Sequence, residues 1–439
     1  METWVAKFVE SIDSLPDSSL SWLNEARKKG IDQFSNKGFP TTRDEAWKYT
    51  NVALLKKRNF NLLSSKKTTL TKDDLDSFRF ADLETVELVF INGHFSAELS
   101  SKIDQVQGVI LQNLSAWLAE EQSLDLSVNA DENVFASLNN AFMSDGMVLH
   151  IDKNTVLNKP VHLIFVATET DEPIMIYPRI DIRLAANSQA RVIESYVSIG
   201  QEDKLAKNLT NTLTNIVTGE MSHLEHYRIQ DESTDAYHIA NVLIDQKHDS
   251  QAISHSVSLG ASLARVDIKV SLGSEGAENT LNGLFMGKGL QHTDHHILVD
   301  HLSPYTRSEE FFKGIMDDRS RGVFNGKVIV HEHAQKIDAV QSNKNLLLSS
   351  NAEIDTKPEL EIYADDVKCS HGATIGRLSD TELFYLQSRG IGEEKARALL
   401  TYAFADEVIS RMSLAPVREY LEQKIVGQLS SLENIRDLV

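Results

Sequence analysis

The chain has 439 residues, of which 41% are hydrophobic and 25% are charged, so it can form two or three globular domains with a large core. Its formal net charge of −20 repels phosphate backbones and anionic lipids, which argues against binding to nucleic acids and membranes. The sequence has no run of the roughly 20 apolar residues that span a membrane, no signal or transit pattern at its N-terminus, and a single cysteine that excludes an internal disulfide, so a cytoplasmic location is expected.

Helical signals dominate the start of the chain, and residues 1–145 are predicted to form a helical and mixed N-terminal region. One helix is expected to begin near Asp17 and to end at Gly30, because basic residues directly precede that glycine. Thr42 and Glu45 have the spacing of a capping box, which predicts a further helix that begins there.

Strand and helix signals alternate between residues 80 and 150. The segment ETVELVFINGHF predicts a strand that leads into a turn at Asn92 and Gly93. The segment from Asn133 to Met143 is predicted to be helical.

Residues 146–377 are rich in short strands. Apolar and polar side chains alternate in PRIDIRLA, where Ile180, Ile182 and Leu184 share one face, and again in LARVDIKVSLG. Further short strands lie between Gly, Asn, Asp and Ser residues, with almost no helical periodicity. The fold class is therefore mainly β. Because no fixed-period repeat is evident, the pattern leaves a sandwich, a barrel and a β-solenoid open.

Helical periodicity returns in residues 378–439. Ser379 and Glu382 form a capping box, and Gly390 is expected to end the helix that begins there. Pro416 suits the first turn of the last helix. A terminal helical hairpin of this kind either covers the end of a β core or docks on a partner.

The only cysteine, Cys369, lies two residues before His371, where strand alternation gives way to helical periodicity. If this stretch is a strand, both side chains point to the same face. A thiolate and an imidazole are common protein ligands for soft or borderline metals. Val367 has the same parity, however, so an alternative is that all three side chains face a core, where a free cysteine behaves as a small hydrophobe.

Histidines and aspartates form a second candidate site in the segment QHTDHHILVDH and shortly after it. They are His292, Asp294, His295, His296, Asp300, His301, His331 and His333. On a strand, the last two histidines would share a face. A metal hydrolase could use such groups, but their spacing matches neither HExxH nor a standard zinc set. Polar ladders on a solvated sheet face explain the same residues.

Nucleotide hydrolysis is not expected from this chain. The glycines between Gly283 and Gly289 have the wrong spacing for a phosphate-binding loop, and no hydroxyl follows Lys288. An iron–sulfur cluster needs about four ligands, mostly thiolates. If Cys369 contacts iron or sulfide, another subunit must therefore supply the other ligands.

The segment ADDVKCSHGATIGRLSDTELFYLQSRGI resembles the C-terminal signature of the SufB/SufD family of iron–sulfur assembly proteins. GFPTTRDEAWKYTN is similar to a segment at the end of the helical N-terminal part of that family. The match follows the whole chain in order and length. Gly372 and the single cysteine resemble the SufD branch, because the SufB branch has glutamate after the histidine and more cysteines.

The resemblance implies a right-handed parallel β-helix over residues 146–377, flanked by helical regions in 1–145 and 378–439. It implies a non-catalytic scaffold subunit that builds and transfers nascent clusters, and aids iron acquisition, together with SufB and the ATPase SufC. Cys369 and His371 would then handle iron or a transient cluster that is shared with SufB. The sequence leaves open a homodimer of the isolated chain and a reduced flavin in the assembled complex.

The resemblance also implies that the C-terminal helices dock on SufC. The apolar residues assigned to this contact are Leu383, Phe384, Leu386, Leu399, Leu400 and Phe404. ATP-driven movement of the helices from about Ser379 onward would expose Cys369 and His371. Two alternatives belong to another class: a β-helix carbohydrate-active enzyme, which would be expected to carry a secretory leader, and a metal hydrolase that uses the histidine cluster.

Overall fold

The computed structural model describes residues 2–63, 70–103, 106–120, 122–124, 126 and 133–429. Its central feature is a parallel β-solenoid of about 8 turns, with helices toward both ends of the chain. The α-helices are α1 (Glu2–Ser11), α2 (Ser21–Lys37), α3 (Ala53–Lys57), α4 (Leu114–Ala119), α5 (Val134–Phe142), α6 (Asp380–Ser388), α7 (Glu393–Ile409) and α8 (Ala415–Gln428).

Two sheets form the walls of the solenoid. The first sheet contains β1 (Val86–Ile91), β2 (His94–Phe95), β5 (Val161–Thr168), β8 (Gln189–Ile199), β10 (His223–Asp231), β12 (Gln251–Ser258), β14 (Glu278–Gly287), β16 (Arg307–Met316), β18 (Ile337–Leu347) and β20 (Val367–Gly376). The second sheet contains β3 (Val109–Asn113), β4 (Gly146–Ile151), β6 (Met175–Ile176), β7 (Arg179–Leu184), β9 (Leu209–Thr218), β11 (Tyr237–Gln246), β13 (Leu263–Leu272), β15 (His292–His301), β17 (Arg321–Val330) and β19 (Glu353–Ile362).

From β7 onward the chain alternates between the two sheets, and each strand pairs in parallel with the strand one turn further on. The antiparallel pairs are β1 with β2 and β3 with β4. This path confirms the mainly β class and the parallel β-helix, and it excludes the sandwich and the barrel. Sheet pairing also crosses the boundary predicted at residue 145, because β3 pairs with β4 and β1 pairs with β5.

One residue in most turns adopts a left-handed backbone conformation at the same corner of the solenoid. These residues are Asn154, Asn187, Met221, Asp249, Gly276, Tyr305 and Lys336. At most of them the amide donates to a carbonyl of the next turn, as from Asn187 to Glu220 over 2.9 Å. The interval between successive members varies by several residues. The turns therefore differ in length, which explains why the sequence has no fixed-period repeat.

Strand alternation places apolar side chains inside the solenoid. Ile180 and Ile182 on β7, like Val266 and Ile268 on β13, belong to the inner core, as their sequence pattern predicts. Part of the interior is polar, however. Buried polar side chains with inward parity include Glu194, His226, Arg228, Gln230, Glu310 and Gln341. The interior of the solenoid thus contains buried polar groups beside its apolar core.

Helices α1, α2 and α5 pack on the outer face of the second sheet. The predicted end of the second helix at Gly30 is wrong, because α2 continues to Lys37. A Cβ atom at Gly30 would lie 2.6 Å from the backbone oxygen of Ser137, so the glycine permits close approach of α5. The helix predicted at Glu45 is only a single 3-10 turn, and no side chain caps its N-terminus. The helix predicted from Asn133 to Met143 is confirmed as α5, and the side chain of Asn133 caps its N-terminus.

Helices α7 and α8 pack along the outer face of the first sheet, over strands β8 to β18, and not over the end of the solenoid. The signals predicted at the starts of α6 and α8 are confirmed. The hydroxyl of Ser379 accepts a hydrogen bond from the amide of Glu382 at the start of α6. Pro416 lies in the first turn of α8, as expected.

The last turn of the solenoid is open. Among the described strands, β19 and β20 each pair on one side only, so each leaves a free backbone edge. Most side chains of β20 are exposed, in contrast to the buried strands before it. Within the described ranges, no helix is long and apolar enough to cross a membrane.

Candidate functional site

Cys369 and His371 lie on β20, the edge strand at the open end of the solenoid. The stretch is a strand, so the side chains of Cys369 and His371 lie on the same face. This face is continuous with the inner face of the solenoid. In the parallel register with β18, Cys369 stands opposite Ala339 and His371 stands opposite Gln341. The strand thus holds a thiol and an imidazole on one face, next to a free edge.

The thiol of Cys369 is half-buried. Together with Val367 it packs against the inner core cluster. The alternative in which these side chains face a core therefore holds for Val367 and, in part, for Cys369. Burial raises the pKa of the thiol, and the negative charge of Asp338 raises it further. The sulfur therefore carries a proton at neutral pH and becomes a strong ligand only when a cation displaces that proton.

The imidazole of His371 is exposed to solvent. On this face of β20, the only other side chain that can bind a soft or borderline metal is that of Cys369. Within the described part of the chain, no group of three or more His, Cys, Asp or Glu side chains is arranged to hold a metal ion. The donors fit iron in kind, since thiolate and imidazole both bind it, but two donors fill only part of a coordination sphere.

Strand alternation divides the histidine cluster between the two faces of β15. His292, Asp294 and His296 face outward, whereas His295 and His301 share the inward parity of the core residues on this strand. His331 follows β17 in a turn and not on a strand, so strand alternation does not apply to it and His333, although their ring centroids lie 6.3 Å apart. The sheet thus separates His295 from His292, Asp294 and His296, and among the described residues no three of these groups are arranged to hold a metal ion.

The outward residues of β15 anchor the N-terminal segment. Thr50 donates its hydroxyl proton to Asp294 over 2.5 Å, and Oγ1 lies 2.8 Å from Nε2 of His292. Arg265 donates to the same aspartate over 2.6 Å. Its guanidinium carbon lies 3.8 Å from the ring centroid of Trp47. The segment GFPTTRDEAWKYTN therefore has a structural role, to fasten the N-terminal region to the second sheet.

The inward histidines of β15 are structural as well. The ring of His295 stacks on Phe285 with 5.0 Å between centroids, and burial lowers its pKa to about 3. His301 contacts the hydroxyls of Thr306 and Ser308 at 2.7 and 2.9 Å, and burial lowers its pKa to about 4. Both rings are neutral at physiological pH and fill the core.

The glycine-rich segment from Gly283 to Gly289 begins inside β14. Gly283 faces the interior, where a Cβ atom would lie 2.1 Å from the ring of Phe312. The glycine makes room for an aromatic side chain of the next turn. The segment therefore contributes to core packing and does not form a phosphate-binding loop.

The residues predicted to dock on an ATPase differ in exposure. Phe384 on α6 is 71% exposed, and its neighbour Tyr385 is 56% exposed. Leu383 is buried, and Leu386, Leu399 and Leu400 are half-buried. Phe404 packs against the first sheet, where its ring lies 4.0 Å from the ammonium of Lys313. Of the predicted set, Phe384 is thus the most accessible to another protein.

Two interior residues near the site were not identified from the sequence. Gln341 faces inward on β18, the strand next to β20, and Glu310 faces inward on β16, one strand further into the sheet. A signal was present, because polar residues alternate with outward residues along both strands, at Ser308 and Glu310 on β16 and at Gln341, Asn343 and Asn345 on β18. Without the register, however, the sequence does not show that Gln341 lies beside His371.

The fold and the site define a β-solenoid protein that presents a thiol and an imidazole at an open strand edge. The family model "SUF system FeS cluster assembly, SufBD core domain" matches residues 165–404, and "SufBD protein N-terminal region" matches residues 1–163. The chain belongs to the SufBD family of iron–sulfur cluster assembly proteins. This confirms the family resemblance of the two sequence segments.

Curated relatives cover most of the chain. An iron–sulfur cluster assembly SufBD family protein of Synechocystis is 36% identical over 411 residues, which are 92% of this chain and 90% of the relative. The iron–sulfur cluster assembly protein SufD of Escherichia coli is 31% identical over 401 residues, 91% of this chain and 90% of the relative. A chloroplastic protein of Arabidopsis thaliana, ABCI7, is 28% identical over 434 residues, 96% of this chain and 89% of the relative.

Proposed function

We propose that the chain is a non-catalytic scaffold subunit of cytoplasmic iron–sulfur cluster assembly, which acts with a SufB-type partner and a SufC-type ATPase. Cys369 and His371 supply part of a coordination sphere that holds iron or a nascent cluster as cargo, and the SufB-type partner supplies the remainder. The observation that carries this proposal is the position of the only cysteine, on the free edge strand of an open solenoid.

The ligand count supports a shared site. An iron–sulfur cluster requires about four protein ligands, and Cys369 with His371 provides two. An adjoining chain whose own strand continues the sheet beside β20 would bring its side chains to the same inner face. The half-buried thiol is protonated until a cation arrives, so the exposed imidazole of His371 is the first group that incoming iron meets. This order suits a role in iron acquisition.

The open end also supports strand addition by a partner. The edges of β19 and β20 offer unpaired backbone groups. Exposed apolar side chains lie at the same end, with Ile362 at 40%, Tyr363 at 63% and Ile375 at 49% exposure. A partner with a similar solenoid end would continue both sheets and cover these side chains.

A SufC-type ATPase would act through α6. Only residues 377–379 link the end of β20 to the start of α6. Displacement of this helix would therefore be transmitted to the strand that carries Cys369, whose thiol is half-buried, while His371 is already exposed. Movement of α6 on ATP binding would uncover the sulfur and so complete the site.

The proposal is tested by complementation of a strain that depends on this chain for cluster assembly. Cys369→Ser and His371→Ala are each expected to abolish or strongly reduce assembly. Ser370→Ala is the matched control, because Ser370 is exposed on the opposite face of β20. Normal assembly with both site variants would refute the site assignment. A stable cluster on the isolated chain would refute the shared coordination sphere.

A further inference from the structure

We propose that Gln341 positions the imidazole of His371 by accepting a hydrogen bond from its ring N–H, and that Glu310 holds Gln341 in the required orientation. The inference rests on the proposed role of His371 at the metal-handling site. It assigns positioning roles to two side chains inside the solenoid that do not themselves contact the cargo.

The three side chains form a ladder across adjacent parallel strands. Glu310 on β16 stands opposite Gln341 on β18, and Gln341 stands opposite His371 on β20. All three have inward parity. Neighbouring strands lie about 4.8 Å apart, so each side chain lies within reach of the next. The ladder leads from the closed interior to the open end.

The hydrogen bonds of Gln341 leave its oxygen available. The side chain is 2% exposed, and its Nε2 atom donates to Oε2 of Glu310 over 2.8 Å. The other end of the amide, Oε1, is buried and has no hydrogen-bond partner among the described residues. A buried carbonyl oxygen is stabilised when a donor reaches it. The N–H of the histidine on the next strand is a suitable donor.

The surroundings hold the amide in place. A Cβ atom at Gly326 on β17 would lie 2.3 Å from Nε2 of Gln341, so this glycine provides the space in which the amide lies. Glu310 is also fully enclosed, and burial raises the pKa of its carboxyl to about 8. The carboxyl is therefore uncharged at neutral pH. Its Oε2 atom can accept the hydrogen bond from Gln341 without placing a charge in the core, and the acid proton then lies on Oε1, which has no hydrogen-bond partner among the described residues.

The consequence for His371 is a fixed tautomer. A histidine that binds a metal commonly donates its second ring N–H to an oxygen acceptor, which orients the ring and selects the nitrogen left free for the metal. With one N–H directed to Gln341, the lone pair of the other nitrogen is directed away from the interior. An exposed imidazole would otherwise rotate and exchange tautomers freely.

The test is nitrogen NMR of the intact chain with ¹⁵N-labelled histidine, in which the His371 signals are identified by their loss in His371→Ala. The wild-type protein should show a single tautomer at His371. Gln341→Leu and Glu310→Leu should each give the averaged signals of freely exchanging tautomers. Glu310→Gln should retain the single tautomer, because its amide oxygen can still accept from Gln341.

Gln230→Leu is the matched control. Gln230 is also buried inside the solenoid, its Nε2 atom donates to Glu232 over 3.2 Å, and its Oε1 atom has no partner among the described residues. It lies on β10, several turns from β20. This variant should leave the His371 signals unchanged. Averaged signals in the wild type, or unchanged signals in Gln341→Leu, would overturn the inference.

Should Gln341→Leu not fold, the comparison of Glu310→Leu with Glu310→Gln decides the question. In complementation, Gln341→Leu should lower cluster assembly about tenfold or more, as is usual when the support of a metal ligand is removed. The tautomer is measured without iron. If the tautomer depends on Gln341 but His371→Ala assembles clusters normally, the proposed function fails and this inference stands. If His371→Ala abolishes cluster assembly but the tautomer does not depend on Gln341, only the inference is overturned.

Discussion

The buried ammonium of Lys313 lies 2.8 Å from the carboxylate of Glu407, which joins β16 to α7. The same ammonium donates to the backbone oxygen of Phe404 over 2.8 Å and lies over the ring of that residue. Burial lowers the pKa of Lys313, and the bond to Glu407 opposes this effect. One lysine thus fastens α7 to the outer face of the first sheet by three contacts, while α6 remains more exposed.

Truncation of this lysine should loosen α7. Lys313→Ala removes a charge-assisted pair, a bond to the backbone and a cation–π contact, and we expect a loss of about 2 to 4 kcal/mol in the free energy of unfolding. Urea denaturation measures this loss, and limited proteolysis should show earlier cleavage in α7 and α8. Lys344→Ala is the control, since Lys344 is 46% exposed and lies 3.7 Å from the same carboxylate. Its effect should stay within about 0.5 kcal/mol. Equal effects would contradict the anchoring role.

Two helical glycines should respond in opposite ways to alanine. A Cβ atom at Gly30 would meet backbone atoms of Ser137 and Ala141 at 2.6 and 3.0 Å, so Gly30→Ala should separate α2 from α5 and cost about 1 to 3 kcal/mol. At Gly427 on α8 a Cβ atom would meet nothing within 4 Å. Gly427→Ala should therefore stabilise the protein by about 0.5 to 1 kcal/mol, through its higher helix propensity. Thermal unfolding of both variants checks the signs.

A surface substitution tests the proposed ATPase contact. Phe384→Asp places a charge on an exposed apolar site of α6, and we expect it to weaken association with a SufC-type ATPase at least about tenfold, as for a central interface residue. Co-purification and a titration of the two proteins measure the effect. Leu290→Asp is the control, because Leu290 is 73% exposed in a loop of the solenoid. Unimpaired association of the Phe384 variant would remove α6 from the contact.

Local signals in the sequence predicted many elements correctly. The alternation in β13 and the cap at Ser379 depend on residues close in the chain, and both are confirmed. The predicted helix end at Gly30 failed because the contact with α5, more than a hundred residues away, outweighs the local stop signal. The solenoid was implied by the family resemblance and not by periodicity, since its turns differ in length.

Some features of the candidate site also follow from local sequence, whereas others depend on contacts between distant parts of the chain. Cys369 and His371 are two residues apart, so their shared face follows from strand geometry alone. Gln341 is thirty residues before His371, and only the parallel register of β18 with β20 places the two side by side. The histidine cluster was misleading for a related reason. Residues that are adjacent in β15 face opposite sides of the sheet, so proximity in the chain did not mean proximity of side chains.

Two buried carboxyls of the first sheet should make the free energy of unfolding change with pH in opposite directions. Burial raises the pKa of Glu310 from an ordinary value of 4.5 to about 8. The folded state therefore retains a proton that the unfolded state releases between these values. This contribution to stability is fully present below about pH 4.5 and is lost as the pH rises through about 8. Glu310→Gln has no such titration. Its free energy of unfolding should therefore increase, relative to that of wild type, by on the order of 4 kcal/mol as the pH rises from about 5 to about 9.

Glu225 on β10 provides the contrast. Burial alone would raise its pKa, but the imidazole of His255, 3.5 Å away, and hydrogen bonds from Ser413 and Tyr227 lower it to about 2. Here the unfolded state binds the extra proton, so the contribution is present above about pH 4.5 and is lost as the pH falls through about 2. Glu225→Gln should therefore be less stable than wild type at neutral pH, and the difference should shrink in acid. Urea titrations of both variants and of wild type across this range measure the two slopes. Slopes of the same sign would show that one of the two carboxyls does not titrate as its surroundings require.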